Sequence, residues 1–95
     1  MKKYIILIPI YNDRECLKKL IENINEEVNN LNAQISIIVI NDASSEQIVD
    51  NYLNIENINS IEIINMKQNK GHARCIASGL KYIFEKKEFD YVIPM

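Results

Sequence analysis

Two glycines, two prolines, two cysteines and one histidine in 95 residues leave little room for the commoner kinds of site. With glycine only at positions 71 and 79, neither G-x-G-x-x-G nor G-x-x-x-x-G-K-[ST] can be written. A dinucleotide enzyme of the Rossmann type and a P-loop nucleotidase are therefore disfavoured. Cys16 and Cys75 stand apart, with no C-x-x-C and no Cys/His cluster, short of the roughly four closely spaced ligands of a zinc site. Both fall in predicted helices, where a small buried hydrophobe is the expected role. Basic excess is missing too. A net charge of −2 and a pI near 5.4 lack the footprint of a nucleic-acid binder.

Long apolar runs are also absent. No stretch approaches the roughly 20 apolar residues of a membrane span. The opening "MKKYIILIPIYND" imitates a signal peptide, but its apolar run of about seven residues ends in Tyr-Asn-Asp without a small-residue cleavage site. It reads as a mature strand. The expected location is the cytoplasm, with any membrane association encoded in sequence that follows.

What is present is hydrophobic patterning. Residues of the apolar class make up 47% of the chain, enough for a packed core of one domain over 1–95. "YIILIPI" (Tyr4 to Ile10) is continuously apolar and β-branched, the mark of a strand covered on both faces. Pro9 cannot donate to a ladder, so it belongs near the strand's end. Leu17, Leu20, Ile21, Ile24, Val28 and Leu31 recur at helical spacing and predict a helix from Asp13 to Leu31. "AQISIIVI" (Ala33 to Ile40) is a second strand. A short helix is expected over Glu46 to Leu53, with Ile48, Val49, Tyr52 and Leu53 inward. "SIEIINM" (Ser60 to Met66) is a third strand. Ala73, Ile76, Ala77, Leu80, Ile83 and Phe84 predict a helix from His72 to Lys86. "DYVIPM" begins a fourth strand. The order βαβαβαβ implies an open parallel α/β sheet of four strands with helices on both faces.

Ligands of such sheets bind beyond the carboxyl ends of the strands. Three polar loops lie there: "YND", "NDASS" and "KQNKGHAR". Tyr11 offers a ring face for a planar base. Asn12 (with Glu15 three residues on) and Asp13 fit either a helix cap or a ligand contact. Ser44 with Gln47 fits a capping box, which leaves Asp42 as the carboxylate for ribose or base donors. Lys70, Gly71, His72 and Arg74 open a helix, where backbone N–H groups and added positive charge suit an anion. His72 is read as a surface or capping group. Gly71 permits positive φ or close approach. Gly79, inside the helix, costs about 1 kcal/mol relative to alanine, so tight helix–sheet packing is its expected reason.

"IPIYNDRECLKKLI" resembles the opening of family-2 glycosyltransferases of the GT-A fold, with their Pro-x-Tyr-Asn-acid strand end. "IIVINDASS" is similar to that family's second strand and Asp-Asp-x-Ser loop. "NKGHARCIASGL" resembles its Asn-x-Gly segment, and "DYVIPM" the strand before its metal-binding Asp-x-Asp. The likeness spans the chain in order. It implies strand order 3-2-1-4 and a truncated GT-A half. It also implies a nucleotide-diphosphate sugar of the UDP or GDP type as donor and an acceptor hydroxyl. Pro9 and Tyr11 would border the base, Asp13 would sit near the base or ribose, and Asp42 would accept from the base. Lys70, Gly71 and Arg74 would lie toward the ribose and diphosphate. Asn41 departs from the family's aspartate.

Because the likeness stops before the Asp-x-Asp, the chain is expected to be an N-terminal portion. No catalytic or metal-ligating residue is assigned in it, and it should not transfer sugar alone. Mg²⁺ or Mn²⁺ is expected only in the full-length enzyme. The fourth strand would be left uncovered, and self-association through Tyr91 to Met95 is the expectation. The rival reading is a self-sufficient, non-enzymatic α/β module that binds a nucleotide or a protein.

Overall fold

Isoleucine-rich segments become adjoining strands in the computed structural model, which describes residues 1–45 and 55–95. The elements are β1 (Lys2–Ile10), α1 (Arg14–Glu27), β2 (Ala33–Asn41), β3 (Ser60–Asn65), α2 (His72–Lys86) and β4 (Tyr91–Pro94). All strands pair in parallel, in the order β3-β2-β1-β4. The short helix expected over Glu46 to Leu53 lies outside the described residues.

Alternation along β1 divides the core into two layers. Ile6, Ile8 and Ile10 point to one face and pack with Ile35, Ile37 and Val39 beneath Leu17, Ile21 and Ile24 of α1. Ile5 and Leu7 point to the other and pack with Ile38 and Ile40 beneath Cys75 and Ile83 of α2. Helices on both faces are thus observed. The pairing of β1 with β4 covers Tyr4 to Leu7, and Pro9, which has no N–H for a ladder, lies near the end of β1 opposite Ile40 of β2.

Two expectations are corrected, while α2 spans His72–Lys86 as predicted. Helix α1 ends at Glu27, not Leu31, because Asn30 turns left-handed (φ 70°), a conformation that asparagine tolerates and that closes a helix. Leu31 consequently swings out and lies 57% exposed. Cys16 is exposed rather than buried, while Cys75 is buried as expected. The inward line of α2 is Cys75, Gly79 and Ile83, so Ala73, Ala77 and Phe84 face outward.

The seat of α2 explains that last rotation. A Cβ on Gly79 would fall 2.5 Å from Leu7 Cδ1 and 3.2 Å from Ile40 Cγ1, so only glycine lets the helix axis come this close. The expected reason for Gly79 holds. Phe84 instead meets Phe89 edge to face, with centroids 5.2 Å apart.

Candidate functional site

The three loops meet at the carboxyl ends of β1, β2 and β3, joined by side-chain hydrogen bonds. Asn12 adopts positive φ (51°), and its backbone N–H donates to Ser44 Oγ at 2.8 Å. Its own Oδ1 accepts from the Ser45 N–H at 2.8 Å and from Ser45 Oγ at 3.1 Å. The N-cap position of α1 belongs to Asp13, without a side-chain capping bond. The capping readings of both residues are therefore not realised. Asp13 instead lies near Cys16, and hydrogen bonding to its carboxylate is the main cause of a raised Cys16 pKa. Tyr11 stands at the rim, 49% exposed. Pro9 is buried at the end of β1. The capping partner expected for Ser44, Gln47, lies outside the described residues; the Ser44 hydroxyl accepts from Asn12.

Asn41 closes the tip of β2. Its Nδ2 donates to Asn65 Oδ1 at 2.8 Å, and its Oδ1 accepts from the Ser44 N–H at 3.1 Å. An aspartate has no N–H to give Asn65, so an amide serves both bonds where a carboxylate would not. Ala43, with φ of 59°, follows in the left-handed region and bends the loop.

Asp42 is only 2% exposed. Its carboxylate reaches across to the third loop. The Lys70 N–H donates to Oδ1 at 2.6 Å and the Gly71 N–H to Oδ2 at 2.9 Å. The Cys75 thiol, one turn into α2, lies close enough to the same group to influence its titration. The Lys70 bond is the chief reason that the carboxyl titrates below its ordinary 3.8; burial opposes the shift, while Gly71, Cys75 and the charge of His72 assist it. Burial in turn pushes the Cys75 thiol up to about 11, with the Asp42 bond and charge adding to the effect. Asp42 was expected to accept from a base; each of its oxygens accepts here from one backbone donor.

Gly71 sits at the N-cap of α2 with φ of 86°, and an added Cβ there would meet nothing within 4 Å. Conformation, not space, requires glycine at this position. Lys70, just before the helix, and Arg74, in its first turn, are exposed, and Lys70 Nζ reaches Gln68 Oε1 at 3.2 Å. Tyr11, Asn12, Asp13, Lys70 and Arg74 thus line the solvent side of the strand tips, whereas Asp42 and Pro9 support them from within. Cys75, Ser45 and Asn65 were not foreseen as members of this assembly. Cys75 follows Gly71 by one helical turn, which is the signal that could have revealed it.

The sequence model of the family described as Glycosyl transferase family 2 matches residues 5–95. The chain belongs to that family. A curated relative, the undecaprenyl-phosphate 4-deoxy-4-formamido-L-arabinose transferase of Proteus mirabilis (strain HI4320), is 29% identical over 98 aligned positions. The alignment takes in all of this chain and 28% of that protein. No solved structure matches.

The divalent metal that the family resemblance implies finds no donor set here. Among the described residues, no three His, Cys, Asp or Glu side chains converge as metal ligands. Among the same residues, no helix is long and apolar enough to cross a membrane. A cavity of about 450 Å³, lined by Lys3, Ser36, Glu62 and Lys87, opens near the opposite end of the strands and takes no part in the loop assembly.

Proposed function

We propose that these residues form the nucleotide-holding part of an enzyme that moves sugar from a nucleotide-diphosphate donor to an acceptor hydroxyl. The observation that carries the reading is the joining of three strand-tip loops in a member of this family. The base would stack on the exposed Tyr11 ring, with Asn12 and Asp13 beside it. Lys70 and Arg74, flanking the entrance of α2, would face the diphosphate and offset its charge. Donors of the UDP or GDP type fit these contacts.

Catalytic groups, and carboxylates for Mg²⁺ or Mn²⁺, belong in this reading to residues outside the 95, and the chain alone is proposed to be inactive in transfer. Its proposed place is the cytoplasm. The partial overlap with the Proteus protein supports testing undecaprenyl phosphate among the acceptors of the longer enzyme. Calorimetry with UDP and GDP tests the pocket. Micromolar to millimolar binding of either is expected, and binding of neither overturns the reading.

A second proposed partner is another copy of the chain. Strand β4 is an edge of the sheet and exposes Tyr91, Ile93 and Met95 at 50%, 44% and 52%. Light scattering should register mass above the 11.1 kDa monomer as concentration rises. A constant monomer mass refutes it.

A further inference from the structure

We infer that Asn41 and Asn65 are positioning residues of the nucleotide site: an uncharged amide pair that, through Ser44, sets the Tyr11–Asn12 backbone on which the base is received. The inference rests on the nucleotide reading above and deepens it.

A row of hydrogen bonds runs unbroken from the tip of β3 to the tip of β1. Asn41 Nδ2 donates to Asn65 Oδ1 at 2.8 Å, and Asn41 Oδ1 accepts from the Ser44 N–H at 3.1 Å. Ser44 Oγ then accepts from the Asn12 N–H at 2.8 Å, and Asn12 follows Tyr11 directly. The Ser44 N–H decides which way round the Asn41 amide stands, because only the amide oxygen can meet an N–H. The nitrogen is thereby turned on Asn65, which presents its own oxygen.

Two further features make Asn41 the fixed point of the row. It is 6% exposed, whereas Asn12 and Asn65 are open to water. Its backbone carbonyl also accepts from the Ala43 N–H at 2.9 Å and the Met66 N–H at 2.8 Å. Main chain and side chain thus tie the end of β2 to the end of β3 and to the second loop. At the far end of the row something has to be held. Asn12 and Ala43 keep positive φ (51° and 59°), which non-glycine residues do only where surrounding contacts fix them.

An amide at position 41 could instead serve by charge alone, sparing an anionic ligand a second carboxylate beside Asp42. Position and charge predict opposite outcomes at Asn65. Asn65→Asp adds a carboxylate yet keeps the acceptor for Asn41 Nδ2. Asn65→Leu adds no charge and leaves that buried N–H₂ without its partner.

Calorimetry on the 95-residue chain decides between them. N65L is expected to weaken UDP and GDP alike, by about fivefold, while N65D stays within about twofold of the unsubstituted chain. In ¹H–¹⁵N spectra the Asn12 amide, three hydrogen bonds away from residue 65, should shift in N65L and hold its place in N65D. Ser44→Ala cuts the row one link nearer the ligand, so N65L/S44A should bind no more weakly than S44A.

Equal weakening by N65D and N65L makes the effect one of charge and overturns the inference. An Asn12 amide unmoved in N65L does the same, as do losses that add in the double variant. If N65L does not fold, Asn65→Ala set against N65D puts the same question at this exposed position. Binding of neither nucleotide by the unsubstituted chain overturns the nucleotide reading, and with it the positioning role, while the Asn12 amide still decides whether the row of bonds exists.

Discussion

Two junctions hold the strand tips together, and they are built from different material. Between the first and second loops, Asn12, Ser44 and Ser45 exchange neutral hydrogen bonds, with Asn12 and Ser45 exposed to water. Between the second and third, the buried Asp42 carboxylate accepts two backbone N–H groups and forms a charged junction that is partly shielded from solvent. Water competes for every bond of the first and for few of the second. The first junction can therefore open beneath a ligand at small cost. The second holds the helix entrance against the sheet.

The sharpest way to break this contrast is Asp42→Asn, whose loss of nucleotide affinity, on the order of tenfold, should exceed that of any substitution at the exposed junction. Acid provides the same test without a mutation. Asp42 is held below its ordinary 3.8 in the folded state, so the unfolded chain takes up the proton first. Its stabilising contribution is complete above that value and is lost as pH falls through the folded-state one. The groups facing it are the Lys70 and Gly71 amides, the Cys75 thiol and His72. Urea titrations from neutral pH down to about pH 3 should show falling stability, with a shallower fall in D42N. Equal slopes would remove the charged junction from the account.

Next in size is Gly79→Ala, which tests the seat behind the buried junction. Overpacking against Leu7 costs about 1–3 kcal/mol, and helix propensity returns about 1. A net loss of about 1 kcal/mol in urea unfolding is expected, and a gain would mean that Leu7 yields. Asn12→Ala addresses the exposed junction. It removes the acceptor for Ser45 and strains a positive φ, a loss of about 1 kcal/mol, whereas Asn12→Gly should lose less because the backbone stays relaxed. Smallest is Ala43→Gly. Relief of the left-handed alanine should raise stability by no more than about 1 kcal/mol, read as a small rise in Tm.

Much of this architecture was legible beforehand. Apolar β-branched runs define strands because buried parallel strands need both faces covered, and β1 to β4 lie where Tyr4 to Ile10, Ala33 to Ile40, Ser60 to Met66 and "DYVIPM" indicated, to within two residues at the shared ends. The order 3-2-1-4 came from family likeness. The facing of α2 was not legible. Alanines and Phe84 fit a helical stripe as well as Cys75 and Gly79 do, and only the approach to Leu7 and Ile40 chooses between them. The end of α1 was missed because Val28 and Leu31 continue the apolar period while Asn30 breaks the backbone.

The candidate site divides in the same way. Tyr11, Asn12, Asp13, Lys70, Gly71 and Arg74 could be assigned to strand tips from their positions after apolar runs, since side-chain alternation and strand length set where a loop must begin. Which of them face solvent, and which support from within, could not be. Asp42 and Cys75 are 33 positions apart along the chain, and no local pattern joins them. Residue order alone determined the strands, the helices and the loops that carry polar groups, because these depend on contacts a few positions away. Folding decided the direction of the Asp42 carboxylate, because a buried charge goes wherever the tertiary arrangement offers it donors.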